Sequence, residues 1–279
     1  MQISLTAQES IPQLDVPYVT TPIEVVNAML QIANVSAEDT LYDLGCGDGR
    51  IVIKAAQKFG AFGIGVDLDP VRIDESRENA AQAGVADRTK FFVEDFFKAD
   101  FGNATVITLY VKEEMNLKLR PMLLQQLKPG ARIVSHNYGM GEWEPDELTK
   151  IKSSFDTHKI YLWIVPANVS GLWEWTFPIE NGNVNYKITL SQKFQKVEGT
   201  ISFDNIKEVL RNLKLRGNYL SFEFDYKING ENTPGHFEGF IDGDIIEGSV
   251  IFQKESGQVK NSWKAKRDAH VIIPIDRTK

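Results

Sequence analysis

The segment Leu41–Arg50, LYDLGCGDGR, constrains this chain more than any other. A short apolar strand signal runs into glycines at alternating positions, and RIVIKAAQKFG follows with apolar residues at helical spacing. Glycine in such a turn permits positive φ and lets a ligand approach the backbone. The helix start adds partial positive charge. A dinucleotide fingerprint, G-x-G-x-x-G, needs glycine at position 50, which is Arg50. The phosphate loop G-x-x-x-x-G-K-[ST] is absent. The turn is therefore a ligand-binding turn that fits neither phosphate ligand.

Three carboxylates narrow the ligand. Asp43 closes the first strand, where it can face an ammonium group. Asp67 closes the second strand, AFGIGVDLD, twenty residues after Gly47, and a carboxylate there can accept both hydroxyls of a ribose. Asp95 closes the third strand inside VEDFF, where it can accept from an adenine amino group. An ammonium, a ribose and an adenine without a phosphate describe S-adenosylmethionine.

YDLGCGDGR, GVDLDP and FVEDFF, in that order and spacing, resemble the first three motifs of the seven-strand (class I) S-adenosylmethionine-dependent methyltransferases, over about residues 17–140. The resemblance implies that Asp43, Gly45, Gly47 and Gly49 hold the methionine end. It places Asp67 and Leu68 at the ribose, and Glu94, Asp95 and Phe96 around the adenine. Ahead of the first strand, VPYVTTPIEVVNAML resembles a subgroup of small protein-lysine methyltransferases. That likeness implies that Pro17, Tyr18, Thr20 and Thr21 line the methionine end and that Tyr110 stands near the methyl acceptor. Tyr18 reads equally as a core ring beside a helix cap. Tyr18 and Tyr110 are the candidate acceptor-positioning residues.

The implied reaction is in-line attack by an acceptor lone pair on the sulfonium methyl, for which positioning is the main contribution of the protein. The acceptor implied is an amine, a protein lysine first. A small metabolite, or a non-catalytic S-adenosylmethionine-binding module, remains open. An oxidoreductase is disfavoured by Arg50 and by the acids at positions 43 and 95. A lysine of reference pKa about 10.4 is neutral at pH 7 in roughly one copy in a few thousand, a cost of about 4–5 kcal/mol. Aromatic walls such as Tyr18, Tyr110, Tyr138 and Trp143 can desolvate the ammonium, and Glu113 or Glu114 can guide it in. Those two glutamates read first as favouring a helix N-terminus. His136 reads first as a hydrogen-bonded structural histidine and second as a base.

Strand–helix alternation up to about residue 165 predicts an α/β domain, a mostly parallel Rossmann-like sheet covered by helices on both faces. Thr21 is expected to cap the first helix, and Pro121 to break the helix before the fifth strand. Residues 166–279 read as an antiparallel β domain of unknown role, a barrel or half-barrel, with one helix over Asp204–Leu213. The triplets Val197-Glu198-Gly199, Phe237-Glu238-Gly239 and Ile246-Glu247-Gly248 place glycine where strands bend. IYLWIVP and GLWEWTF can belong to either domain. Phe222, Phe224 and Tyr226 alternate as a core face.

Charge separates the two halves. Residues 1–165 carry 16 Lys and Arg against 23 Asp and Glu, a balance of −7, while residues 166–279 carry 15 of each. An acidic first half argues against a nucleic-acid partner, which needs a basic face, and suits a cationic one. His236 and His270 stand alone and Cys46 is the single cysteine, so no metal site is expected. No run reaches the roughly 18 apolar residues of a membrane span, and MQISLTAQES lacks the features of a signal peptide. These features lead to the expectation of a cytoplasmic protein without a membrane partner.

Overall fold

A computed structural model describes residues 19–153, 156–179, 182–228, 231–254 and 257–269. Pro17, Tyr18 and His270 lie outside the described residues. The chain divides into two compact units, Met1–Leu127 with Arg132–Trp163, and Lys128–Ala131 with Ile164–Lys279.

The first unit runs α1 (Ile23–Ile32), β1 (Thr40–Leu44), α2 (Arg50–Phe59), β2 (Phe62–Asp67), α3 (Pro70–Gln82), β3 (Thr89–Val93), β4 (Val106–Leu109), α4 (Glu113–Gln126), β5 (Arg132–His136), β6 (Glu147–Lys152) and β7 (Thr157–Ile164). Its sheet has the order β3-β2-β1-β4-β5-β7-β6. β1 pairs in parallel with β2 and β4, as β2 does with β3 and β4 with β5. All four residues of β4, VITL, are buried, as expected for a strand covered on both faces. Val26 and Leu30 of α1, Val52 of α2 and Ile73 of α3 join Leu41, Val106 and Val134 in one core. Each such side chain stabilises the fold by about 1.5–3 kcal/mol relative to exposure.

Two local expectations are corrected, and one strand had no sequence signal. α1 begins at Ile23 with Pro22 as its N-cap and no side-chain cap bond, because the Thr21 hydroxyl turns to His136 instead. α4 continues through Pro121; Leu119, Leu123 and Leu124 bury its inner face and hold the helix across the lost amide. β6 gave no strand signal. It is an edge strand whose ELTKIK residues are mostly exposed, and its charges are what protects such an edge from further pairing.

The second unit is a nine-stranded antiparallel sheet, β8 (Gly171–Ile179), β9 (Gly182–Lys193), β10 (Lys196–Phe203), β11 (Ile206–Val209), β12 (Arg211–Arg216), β13 (Tyr219–Ile228), β14 (Glu231–Asp242), β15 (Ile245–Lys254) and β16 (Gly257–Arg267). Its order is β11-β10-β9-β8-β16-β15-β14-β13-β12. The two ends of that order, β11 and β12, are consecutive in the chain, so the sheet curls into a nearly closed barrel. IYLWIVP supplies β7 of the first sheet and GLWEWTF supplies β8 of the second.

The helix expected over Asp204–Leu213 is absent. Ile206, Val209, Leu210 and Leu213 have helical spacing, but the two-residue turn Asp204-Asn205, with Asp204 at φ 49°, folds β11 back onto β10. Asn212, at φ 49°, marks a register shift against β13. A short apolar run of this kind satisfies both periods, and pairing with β10 and β13 decides.

The barrel interior is aromatic. Phe222 stacks on Phe237 at 5.1 Å, Phe224 on Phe237 at 4.9 Å, and Trp175 meets Trp263 edge-on at 5.3 Å. The side chain of Tyr226 lies outside the described residues. Gly239 pairs with Gly248, and Gly248 with Trp263, whose indole N–H donates to the Glu238 carbonyl at 2.9 Å. A Cβ on Gly248 would lie 1.9 Å from that carbonyl oxygen. Gly248→Ala is therefore expected to lower stability by about 1–3 kcal/mol, measured by urea denaturation followed through tryptophan fluorescence.

Candidate functional site

The chain order of the first sheet reverses between β1 and β4, and a crevice opens at the carboxyl ends of strands on either side of such a point. A cleft there is lined by Asp43, Gly45, Gly47, Asp67, Leu68, Asp95 and Phe96. Val19, Thr20 and Thr21 line it from the chain ahead of α1, Tyr110 and Val111 from the β4–α4 connection, and Met115 from the first turn of α4. The three strand-end carboxylates thus converge on one crevice.

The turn after β1 is built to expose its backbone. The amides of Gly45 and Cys46 both donate to the Val66 carbonyl, at 2.9 and 3.0 Å. The Gly47 amide donates to Asp67 Oδ2 at 2.9 Å, and Asp67 Oδ1 accepts the Asp69 amide at 3.0 Å. Each carboxylate oxygen keeps a second lone pair for a hydroxyl. Asp95 Oδ1 accepts the Phe97 amide at 3.0 Å, which fixes the carboxylate at the cleft wall.

Asp43 is the most perturbed acid. Its carboxylate accepts the Thr108 hydroxyl at 2.7 Å. Burial pushes its pKa up to about 7, and the charges of Asp67 and Asp48 push the same way against the Thr108 bond. Cys46 is buried, and burial with the nearby acids holds its thiol well above the ordinary range. It is a packing residue, 2.7 Å from where a side chain on Gly65 would begin.

At the far end, the Tyr110 ring stacks on His136 with centroids 3.9 Å apart, and Tyr138 lies 6.3 Å from Tyr110. Burial, reinforced by neighbouring His158, pushes His136 down to about 4, so it is neutral at neutral pH.

Several expected residues stand elsewhere. Gly49 is outside the cleft lining; at φ +77° it precedes α2, and a Cβ there would lie 2.8 Å from Phe91 and Ser76, so it serves helix–sheet packing. Glu94 is half-buried and its amide bonds the Asp67 carbonyl, but it does not line the cleft. Trp143 is fully buried beside Trp163, 6.1 Å between centroids, and cannot wall an acceptor site. Glu113 and Glu114 are exposed on the first turn of α4. Asp48, Arg50 and Arg72 line the cleft without having been assigned a role from sequence. Arg50 pairs with Asp48 and donates to the Thr21 carbonyl at 2.9 Å, tying the chain ahead of α1 to the glycine turn. Its only sequence signal was a cation at the first position of α2, where the fingerprint wanted glycine.

A family model described as the ANTKMT methyltransferase domain matches residues 43–147. A protein-lysine N-methyltransferase of Saccharolobus islandicus is 42% identical over 151 residues, 54% of this chain and 94% of that protein. A human lysine N-methyltransferase named for a component of ATP synthase is 35% identical over 134 residues, 48% of this chain and 55% of that protein. Among solved structures, an RNA methyltransferase from Salinibacter ruber in complex with S-adenosylhomocysteine is 46% identical, with a TM-score of 0.51, covering 54% of this chain and 96% of that one.

The state of Asp43 makes cofactor affinity depend on pH. A cationic ligand favours the ionised carboxylate, so binding releases a proton wherever Asp43 is protonated in the free protein. S-Adenosylmethionine affinity is expected to rise by up to about tenfold per pH unit below 7 and to level off above it. Calorimetric titration from pH 5.5 to 8.5 measures this, and Asp43→Asn should flatten the profile.

Proposed function

The chain belongs to the S-adenosylmethionine-dependent methyltransferases, and from that premise we propose that it methylates the side-chain amine of lysine in a protein substrate. The observation that carries the reading is the convergence of Asp43, Asp67 and Asp95 on one cleft whose other end presents Tyr110 and Thr21. In this reading the Asp67 carboxylate takes the ribose hydroxyls, Asp95 with Phe96 takes the adenine, and Asp43 faces the cationic methionine end. The half-buried Tyr110 ring stacks on a neutral imidazole, and burial raises its phenol above the ordinary value, so that wall carries no charge at neutral pH. An uncharged wall favours the neutral form of a lysine brought against it, which lowers the cost of deprotonation. Asp67 also anchors the glycine turn, so its loss affects both the ligand and the loop that receives it.

Two relatives of lysine-methyltransferase name support a protein acceptor. The Salinibacter relative carries the name of an RNA methyltransferase, which makes RNA the second reading. The balance of 16 basic against 23 acidic residues in the first 165 favours the cationic protein over the polyanion. A cytoplasmic setting belongs to the same proposal.

The test uses the full chain, methyl-labelled S-adenosylmethionine and a cell extract, followed by gel separation with protease and ribonuclease treatment. Label is expected in protein bands, resistant to ribonuclease and recovered as methyl-lysine after hydrolysis. Label confined to ribonuclease-sensitive material, or to small molecules, would overturn the lysine reading. Asp67→Ala removes charge-assisted hydrogen bonds and is expected to weaken cofactor binding by roughly 10- to 100-fold.

A further inference from the structure

Four side chains connect the acceptor end of the cleft to the protein surface. Thr21 lines the cleft. His136, at the end of β5, is fully buried, and His158, on β7, is 7% exposed. Ser153 follows β6 and is half-buried. The Ser153 hydroxyl lies 3.3 Å from the Asp156 carbonyl, to which it can only donate. With that hydrogen given away, its oxygen accepts from His158 Nε2–H at 3.0 Å. With a hydrogen on Nε2 and none on Nδ1, His158 accepts at Nδ1 from His136 Nε2–H, 2.9 Å away. His136, which burial keeps neutral, then presents a bare Nδ1 to the Thr21 hydroxyl 3.4 Å away. The partner of one ring nitrogen thus fixes the role of the other, twice in succession. The last contact is long, as hydrogen bonds at such sites often are before ligands bind.

We propose that Ser153, His158 and His136 are positioning residues that turn the Thr21 hydroxyl hydrogen away from the cleft, so that the Thr21 oxygen accepts an N–H of the acceptor amine beside Tyr110. This rests on the amine-methylation reading above. Thr21 lies in the cleft wall, and its backbone carbonyl is already taken by Arg50, which leaves the hydroxyl as the remaining oxygen of that residue. An amine held by one N–H on a fixed oxygen has its lone-pair direction set, and alignment with the sulfonium methyl is what in-line transfer requires. The same imidazole backs the Tyr110 ring, so one neutral group orients both residues at this end.

Two measurements test this. Nitrogen NMR of the full chain labelled in its imidazoles is expected to show both rings protonated at Nε2 near neutral pH; a hydrogen on His136 Nδ1 overturns the inference whatever the activity. Kinetics with a lysine acceptor supply the second. Thr21→Val should lower kcat/KM for the acceptor by roughly tenfold, a larger effect than its effect on S-adenosylhomocysteine binding. His158→Leu should lower it several-fold, and His158→Asn, whose side-chain oxygen can take the place of Nδ1, should recover most of that loss. Equal effects on acceptor and cofactor, or equal behaviour of the Leu and Asn variants, sink the positioning role alone. Absence of amine methylation by the wild type sinks the amine reading, and this inference with it.

Discussion

The cleft depends on how the chain leaves β1. A single carbonyl, that of Val66, receives the amides of Gly45 and Cys46, and the Asp67 carboxylate receives the next turn amide, that of Gly47. These bonds pull the turn across the end of β2, and the residues that make them, Val66 and Asp67, are the last two of that strand. The turn therefore cannot move without the neighbouring strand. Because β2 also pairs with β3, the strand that leads to Asp95, three carboxylates from distant parts of the sequence are held in one frame. Only then does the helix start of α2 face the same space.

That frame is electrostatically costly. Asp43, Asp67 and Asp48 line one cleft, and Asp43 is buried among them. Holding Asp43 ionised, against a carboxyl pushed from 3.8 to about 7, costs about 4 kcal/mol. The raised value means the folded state binds the proton more tightly than the unfolded chain, so this group withdraws stability as pH rises from near 3.8 through 7. A cation in the cleft offsets the cost. Asp43 is thus a group that burial favours in its protonated form and that a positive ligand favours in its ionised form, and a neutral analogue of the same shape lacks that compensation. The other end differs, since the rings of Tyr110 and His136 are uncharged.

The sequence was readable where local chemistry and tertiary position coincide. Asp43, Asp67 and Asp95 sit at strand ends, and strand ends in parallel sheets point at the crevice, so residue type and place agreed. It misled where one signal serves two purposes. Gly49 belongs to an alternating glycine series that reads as ligand contact, and its missing side chain also makes room for Phe91. Thr21 before proline has the pattern of a helix cap, but a buried imidazole competes for the hydroxyl, and only the fold brings residue 136 near residue 21. β6 was invisible because an edge strand is selected for charge, and 204–213 because four apolar residues fit either period. The links among Thr21, His136, His158 and Ser153 span more than a hundred residues of sequence; no spacing rule could have found them.

The second unit closes through β16 against β8, with Lys266 opposite Glu174 and Arg267 opposite Trp173. Its first and last described strands are therefore neighbours. Both are thus interior strands with a partner on each side, and the open edges of the sheet fall to β11 and β12, which adjoin in the chain.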